Sequence, residues 1–171
     1  VPNPRNPPSG CRFHPRCSKI IPPEDWTGSQ AGFRRAYQFK RLTLTGDLTV
    51  EDVIADEETA DEQALADELL SHGLSLEVPE EHRIESETAT TIDLASLDLP
   101  RDAEETLRSA ARALVAGDRE AATAELDGAF ETICAKEHPA DRETGQQTTA
   151  CHLYESSSSP SAEPIAPDAS D

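Results

Sequence analysis

The sequence predicts a mainly α protein made of a small irregular cysteine-rich metal-binding module, a helical insert of helix-turn-helix pairs and a disordered C-terminal tail. Three observations carry that expectation. Apolar residues recur at three- and four-residue steps in several windows, most of them closed by a glycine, the pattern of helices that each bury one stripe. Two of the four cysteines, Cys11 and Cys17, sit in a turn rich in proline and glycine, and the other two, Cys134 and Cys151, follow the last helical window. After Glu155 the chain runs into Ser156–Ser159 and then Pro160, Pro164 and Pro167 among acidic residues, a composition that cannot bury enough apolar surface to order itself.

Taken in order, residues 1–8 contain four prolines and no helical period, so they read as an extended linker from an upstream domain. Residues 9–27 hold the thiol turn. Its prolines fix φ and remove donors while Gly10 permits positive φ, so the segment presents side chains instead of packing as a helix or strand. Residues 28–133 read as an acidic helical insert. From Ser29, the positions Phe33, Ala36, Tyr37, Lys40 and Leu44 mark one face of a helix that stops at Gly46, with Phe33 and Tyr37 as core residues. Trp26 reads as a core or interface plug.

Residues 49–55 suit a short helix. A better one starts at Thr59, with Glu62 as its capping-box partner, Leu65, Leu69 and Leu70 on one face and Gly73 as its stop; His72 beside that stop suits the helix dipole and needs no functional role. Leu74, Leu76 and Val78 alternate like a short strand before Pro79, and residues 88–99 read as irregular. Asp102 and Glu105 form a capping-box pattern before the stripe Leu107, Ala111, Leu114 and Val115, which Gly117 stops. Asp118 caps the next helix, with Ala122, Leu126, Ala129, Phe130 and Ile133 as its stripe. So short a connection makes the two helices antiparallel neighbours. Residues 134–155 return to the cysteine-rich module through a polar loop, and residues 156–171 form the tail.

Composition narrows the function. The 171 residues are 36% hydrophobic and 4% aromatic, which allows only a thin core, and 34 acidic against 15 basic residues give a net charge of −19. Nucleic-acid phosphate and anionic lipid repel such a chain. Lysines are confined to Lys19, Lys40 and Lys136, and the spread of acidic residues resembles proteins of halophilic archaea; the fold is expected to need salt, which screens its self-repulsion. No apolar run is long enough to span a membrane, so direct membrane insertion is not expected. Methionine is absent and the chain starts at Val1, which suggests a fragment of a longer reading frame.

Four thiols match the ligand count of a tetrahedral metal ion or an iron-sulfur cluster. The five residues between Cys11 and Cys17 exceed the usual zinc spacing, and spacing alone leaves zinc and iron-sulfur about even. Disulfides rank lowest for a reduced compartment. His14 and His152, each close to a cysteine, are expected to donate hydrogen bonds to thiolate sulfur and so to support the ligands without being ligands themselves. The chain has no phosphate-binding loop, dinucleotide-binding turn, nucleophile elbow or zinc-protease motif, so it is not expected to be an enzyme by itself.

The strings Val1–Cys17 and Ala150-Cys151-His152-Leu153-Tyr154, with four residues between Cys134 and Pro139, resemble the C-terminal extension of the ATP-binding subunits of oligopeptide and dipeptide ABC transporters. The resemblance implies a four-iron four-sulfur cluster on Cys11, Cys17, Cys134 and Cys151. It also implies a cytoplasmic place, peripheral on the inner face of the cell membrane. The implied partners are the upstream nucleotide-binding domain, which would bind ATP, a second ATPase subunit and transmembrane permease subunits. That family places its third cysteine close to the second, whereas here the helical insert intervenes, and Ser18 replaces a usual proline. The alternative is a stand-alone acidic interaction protein stabilised by zinc.

Overall fold

The computed structural model describes residues 7–53, 61–76, 92, 94–144 and 147–154. Among these, five helices and one hairpin form a mainly helical fold. Helix α1 (Gln30–Thr45) has the ends its sequence implies. The Ser29 hydroxyl accepts from the Gly32 amide at 2.9 Å, and Gly46 takes a left-handed φ of 80° while its amide reaches the Leu42 and Thr43 carbonyls. Its buried face runs through Phe33, Ala36, Tyr37, Phe39, Lys40 and Thr43. Leu44, expected on that stripe, is instead 46% exposed, one position beyond the row that meets the core.

The short helix expected at 49–55 is a single 3-10 turn, Val50–Asp52, whose Asp52 carboxylate accepts from both the amide and the hydroxyl of Thr49; its expected last residues lie outside those described. Helix α2 spans Glu62–Ser75, and the expected cap Thr59 also lies outside the described residues. Two expectations are corrected here. Leu74 belongs to α2, not to a strand. Gly73 does not stop the helix but lies within it, at a place where a Cβ would stand 2.7 Å from Phe39 Cδ2 and 3.0 Å from Leu48 Cδ2. Both neighbours are fully buried. Gly73→Ala should therefore lower the unfolding free energy by about 1–3 kcal/mol through overpacking, against a helix-propensity gain of about 1 kcal/mol. Denaturant titration would read the net loss, and a more stable variant would show that α1 and α2 yield there.

Helices α3 (Arg101–Val115) and α4 (Arg119–Ala129) pack on each other, α2 packs on α3, and α1 packs on both α2 and α4. Asp118 caps α4 as expected, accepting from Ala121 at 2.9 Å. The Asp102–Glu105 capping box does not form. Pro100 occupies the N-cap without a side-chain hydrogen bond, so Asp102 is already inside the helix, and Glu105 accepts from Arg101 Nε at 3.0 Å instead.

Helices α1 and α4 clamp each other's C-terminal carbonyls. Lys40 Nζ is 2.7 Å from Asp127 Oδ1 and donates to the Phe130 carbonyl at 2.9 Å. Arg119 donates to Thr43 O at 3.0 Å and Leu48 O at 3.3 Å. Lys40 meets the negative end of α4 and Arg119 that of α1, and Arg119 also holds the Leu48 carbonyl in the segment that follows α1. The core between the helices is led by Phe33, Phe39, Phe130, Leu48, Leu69, Leu107 and Leu126, all fully buried. Trp26 caps it from outside, with its ring centroid 4.9 Å from that of Phe33 and its Nε1 donating to Ser29 O at 3.1 Å.

After α4 come a one-turn helix, α5 (Ile133–Lys136), and an antiparallel hairpin of β1 (Asp141–Thr144) and β2 (Gln147–Ala150), with Asp141 opposite Ala150 and Thr144 opposite Gln147. A polar loop was the expectation for this stretch. The hairpin carries almost no buried face, so it rests on its backbone ladder, and that leaves no apolar alternation to read. Of the expected linker only Pro7 and Pro8 are described, and the expected tail lies outside the described residues.

Candidate functional site

The thiol turn docks on α5 through its backbone. Gly10 holds φ at 62°, which lets the Cys11 amide donate to the Cys134 carbonyl at 2.8 Å and the Ser9 hydroxyl to the Ala135 carbonyl at 2.8 Å. A one-turn 3-10 helix at His14–Arg16, with proline in its first turn, then brings the chain round to Cys17, whose amide donates to the His14 carbonyl at 3.2 Å. Thr132, 2% exposed, joins the two segments a second time. Its hydroxyl donates to the Ile21 carbonyl at 2.7 Å and accepts from the Cys134 amide at 3.2 Å. The hairpin returns the chain so that Cys151 follows β2, and His152 Nε2 lies 2.9 Å from the Glu137 carbonyl, to which it donates.

None of the four cysteines is in a disulfide. Cys134 is buried and the other three are half-buried. Burial pushes the Cys17 thiol above its ordinary 9.0; the Lys19 amide, donating to its sulfur at 3.3 Å, opposes this, and the negative charges of Cys134, Cys151 and Cys11 each raise it further. Among the described residues, no group of three or more histidine, cysteine, aspartate or glutamate side chains is gathered tightly enough to hold a metal ion. A four-iron cluster asks for a wider arrangement, since each cysteine binds a different iron; a single tetrahedral ion asks for all four sulfurs on one centre.

The two histidines bond differently from expectation. His14 Nδ1 lies 2.8 Å from the Cys11 carbonyl, as His152 does from that of Glu137, so both brace the backbone that carries the cysteines through carbonyls and not through sulfur. A carbonyl oxygen is the stronger acceptor; for His14 it comes from Cys11 three residues back, and for His152 from Glu137 at the end of α5. Sequence reading missed Arg34 and Thr132. Arg34 lies on α1 with its Nε donating to the Ile20 carbonyl at 3.2 Å; burial lowers its pKa and the charge of Cys17 opposes that. Tyr37, one turn on, is raised by burial, with Arg41 opposing and Cys134, Asp127 and Cys17 adding to the rise.

These shifts set a pH dependence for the metal-free chain. A thiol and a phenol whose folded pKa values exceed their unfolded ones bind protons more tightly when folded. Their contribution is complete below the ordinary values of 9.0 and 10.0 and is lost as pH rises through the folded values. The denaturant midpoint should therefore fall above about pH 9, whereas metal binding, which needs thiolates, should strengthen over the same range. A metal-free midpoint that climbs above pH 9 would contradict the burial of Cys17 and Tyr37.

A family model described as a domain of unknown function (DUF8228) matches residues 30–147, well over half of the chain, and the protein belongs to that family. The match begins at α1 and ends at the first residue of β2, so it takes in the helical region, Cys134 and β1 while leaving Cys11, Cys17 and Cys151 outside it. No curated protein and no solved structure matches the chain. Among the described residues no helix is long and apolar enough to cross a membrane.

Proposed function

We propose that this chain is the C-terminal portion of the ATP-binding subunit of a peptide ABC transporter, in which Cys11, Cys17, Cys134 and Cys151 hold an iron-sulfur cluster. The observation that carries the reading is the docking of Cys11 on Cys134 by a 2.8 Å backbone bond, with Cys17 feeling the charge of all three other thiols. The two cysteine-bearing segments, one on each side of a long helical region, are held against each other by that backbone bond. An iron-sulfur centre would supply a cross-link between the two ends of the helical domain and a place to store an electron. The chain's own residues already do the positioning: Gly10 allows the close approach, Thr132 ties the two strands of chain, and His14 and His152 brace the carbonyls.

In this reading ATP binding and hydrolysis belong to a nucleotide-binding domain upstream. The assembly would place this chain beside a second ATPase subunit and the permease subunits on the cytoplasmic face. The acidic helical surface then lies outward, away from anionic lipid. Anaerobic purification tests the cofactor directly: about four irons and four sulfides per chain are expected for a full site. Zinc in place of iron would favour the stand-alone zinc-stabilised interaction protein instead. The genomic sequence upstream of Val1 tests the transporter assignment, which fails if no phosphate-binding loop is encoded there.

A further inference from the structure

We propose that Cys11 and Cys134 are a reversible redox pair, which a peroxide joins in the metal-free chain by a disulfide that fastens the thiol turn to α5. The pairing stands on backbone geometry and does not need the four cysteines to share a metal. The Cys11 amide donates to the Cys134 carbonyl at 2.8 Å. Beyond that hydrogen bond, only one N–Cα, one C=O and one C–Cα bond separate the two Cα atoms. They therefore lie no more than about 6.5 Å apart for any acceptable bond angle, and bridged cysteines ask for roughly 4.4–6.8 Å.

The side chains meet a common interior as well. Cys134 is part of the buried core, and Cys11 packs against that core. Two side-chain bonds keep the segments together without either sulfur: Ser9 donates to the Ala135 carbonyl at 2.8 Å, and Thr132 to the Ile21 carbonyl at 2.7 Å. The fold has thus already brought together two residues far apart in the chain, so closing the S–S bond orders little more than two side chains.

Access sets the order of the chemistry. Cys11 is half-buried and Cys134 is 7% exposed, so Cys11 meets the oxidant first. Its sulfur attacks hydrogen peroxide and the O–O bond breaks; one oxygen stays as a sulfenic acid and the other leaves as water. Cys134 sulfur then attacks the Cys11 sulfur. The S–O bond breaks, the S–S bond forms, and the oxygen leaves as a second water with the Cys134 proton. Two thiols lose two electrons and two protons, and one peroxide becomes two waters. The buried partner diverts Cys11 from irreversible sulfinic acid, and a dithiol reductant restores both thiols. A transient pair of this kind is the form disulfides take in a reducing compartment.

The test uses the full chain, stripped of metal by a chelator, reduced, and then given one equivalent of hydrogen peroxide. Trypsin cuts after Arg12, Arg16, Lys136 and Arg142, so each cysteine falls on a separate peptide and mass spectrometry without reduction identifies its partner. The Cys11 peptide joined to the Cys134 peptide is the expected main product, with the loss of about two free thiols per chain and full recovery on adding dithiothreitol. Cys17→Ala combined with Cys151→Ala should give the same link; the wild-type peptide map decides by itself should that variant not fold. A main product that joins Cys11 to Cys17, joins Cys134 to Cys151, links two chains, or carries sulfinic acid at Cys11 overturns the pair. Each of these outcomes leaves the iron and sulfide content of the untreated chain to be judged separately.

Discussion

On the proposal that the four cysteines hold a metal centre, Cys134→Ser is expected to strip the site of most of that metal and to loosen the ends of the helical domain from each other. Cys134 is buried at the start of α5, so serine would leave a weaker ligand in a place that solvent enters poorly. A metal that closes so long a stretch of chain restricts the unfolded ensemble strongly, and losing it removes that restriction. Two readouts follow. Metal content should fall to a small fraction of wild type, and a protease that cuts after acidic residues should gain access near the exposed Glu137 and Asp47. The Cys11–Cys134 backbone bond does not involve the sulfur, so the helices themselves should keep their circular dichroism. Full metal retention would show that Cys134 is not a ligand.

The parts of the fold that were legible in the sequence are those fixed by neighbours in the chain. Ser29 and Gly46 bound α1 because a cap and a left-handed stop act within one turn, and Gly117 with Asp118 separates α3 from α4 for the same reason. Gly73 was misread because its role is tertiary: nothing within its own helix tells that Phe39 of α1 occupies the place of its side chain. The hairpin escaped because its residues are polar on both faces. At the site, the thiols stood out by residue type alone.

The residues that organise the thiols did not stand out. Thr132 reaches Ile21 across a separation of 111 residues, and Arg34 reaches Ile20 from a helix whose apolar stripe looks complete without it. Polar residues on a helix flank carry no mark of which carbonyl they will meet. The correction to His14 and His152 has a related origin, since adjacency to cysteine suggested sulfur while a local turn supplied a carbonyl to His14 and the end of α5, fifteen residues away, supplied one to His152.

Gly10→Ala tests the convergence of the thiols without touching any of them. Its φ of +62° costs an L-residue about 1–2 kcal/mol, and a Cβ there would stand 2.6 Å from the Cys134 carbonyl oxygen and 2.7 Å from the Ala135 carbonyl carbon. Those atoms are backbone at the start of a helix capped by the buried Thr132, so they cannot step aside as a flexible side chain would. The Cys11–Cys134 bond must break, and Cys11 with it swings away from the other thiols. Metal affinity should then fall by at least an order of magnitude while the α1–α4 core unfolds at nearly the same denaturant concentration. Gly128→Ala is the matched control: nothing lies within 4 Å of its Cβ position, and alanine there should leave metal binding untouched and stabilise α4 by roughly 0.5–1 kcal/mol. If Gly10→Ala binds metal as wild type does, the thiol turn is not held against α5 during binding, and the four cysteines do not act as one site.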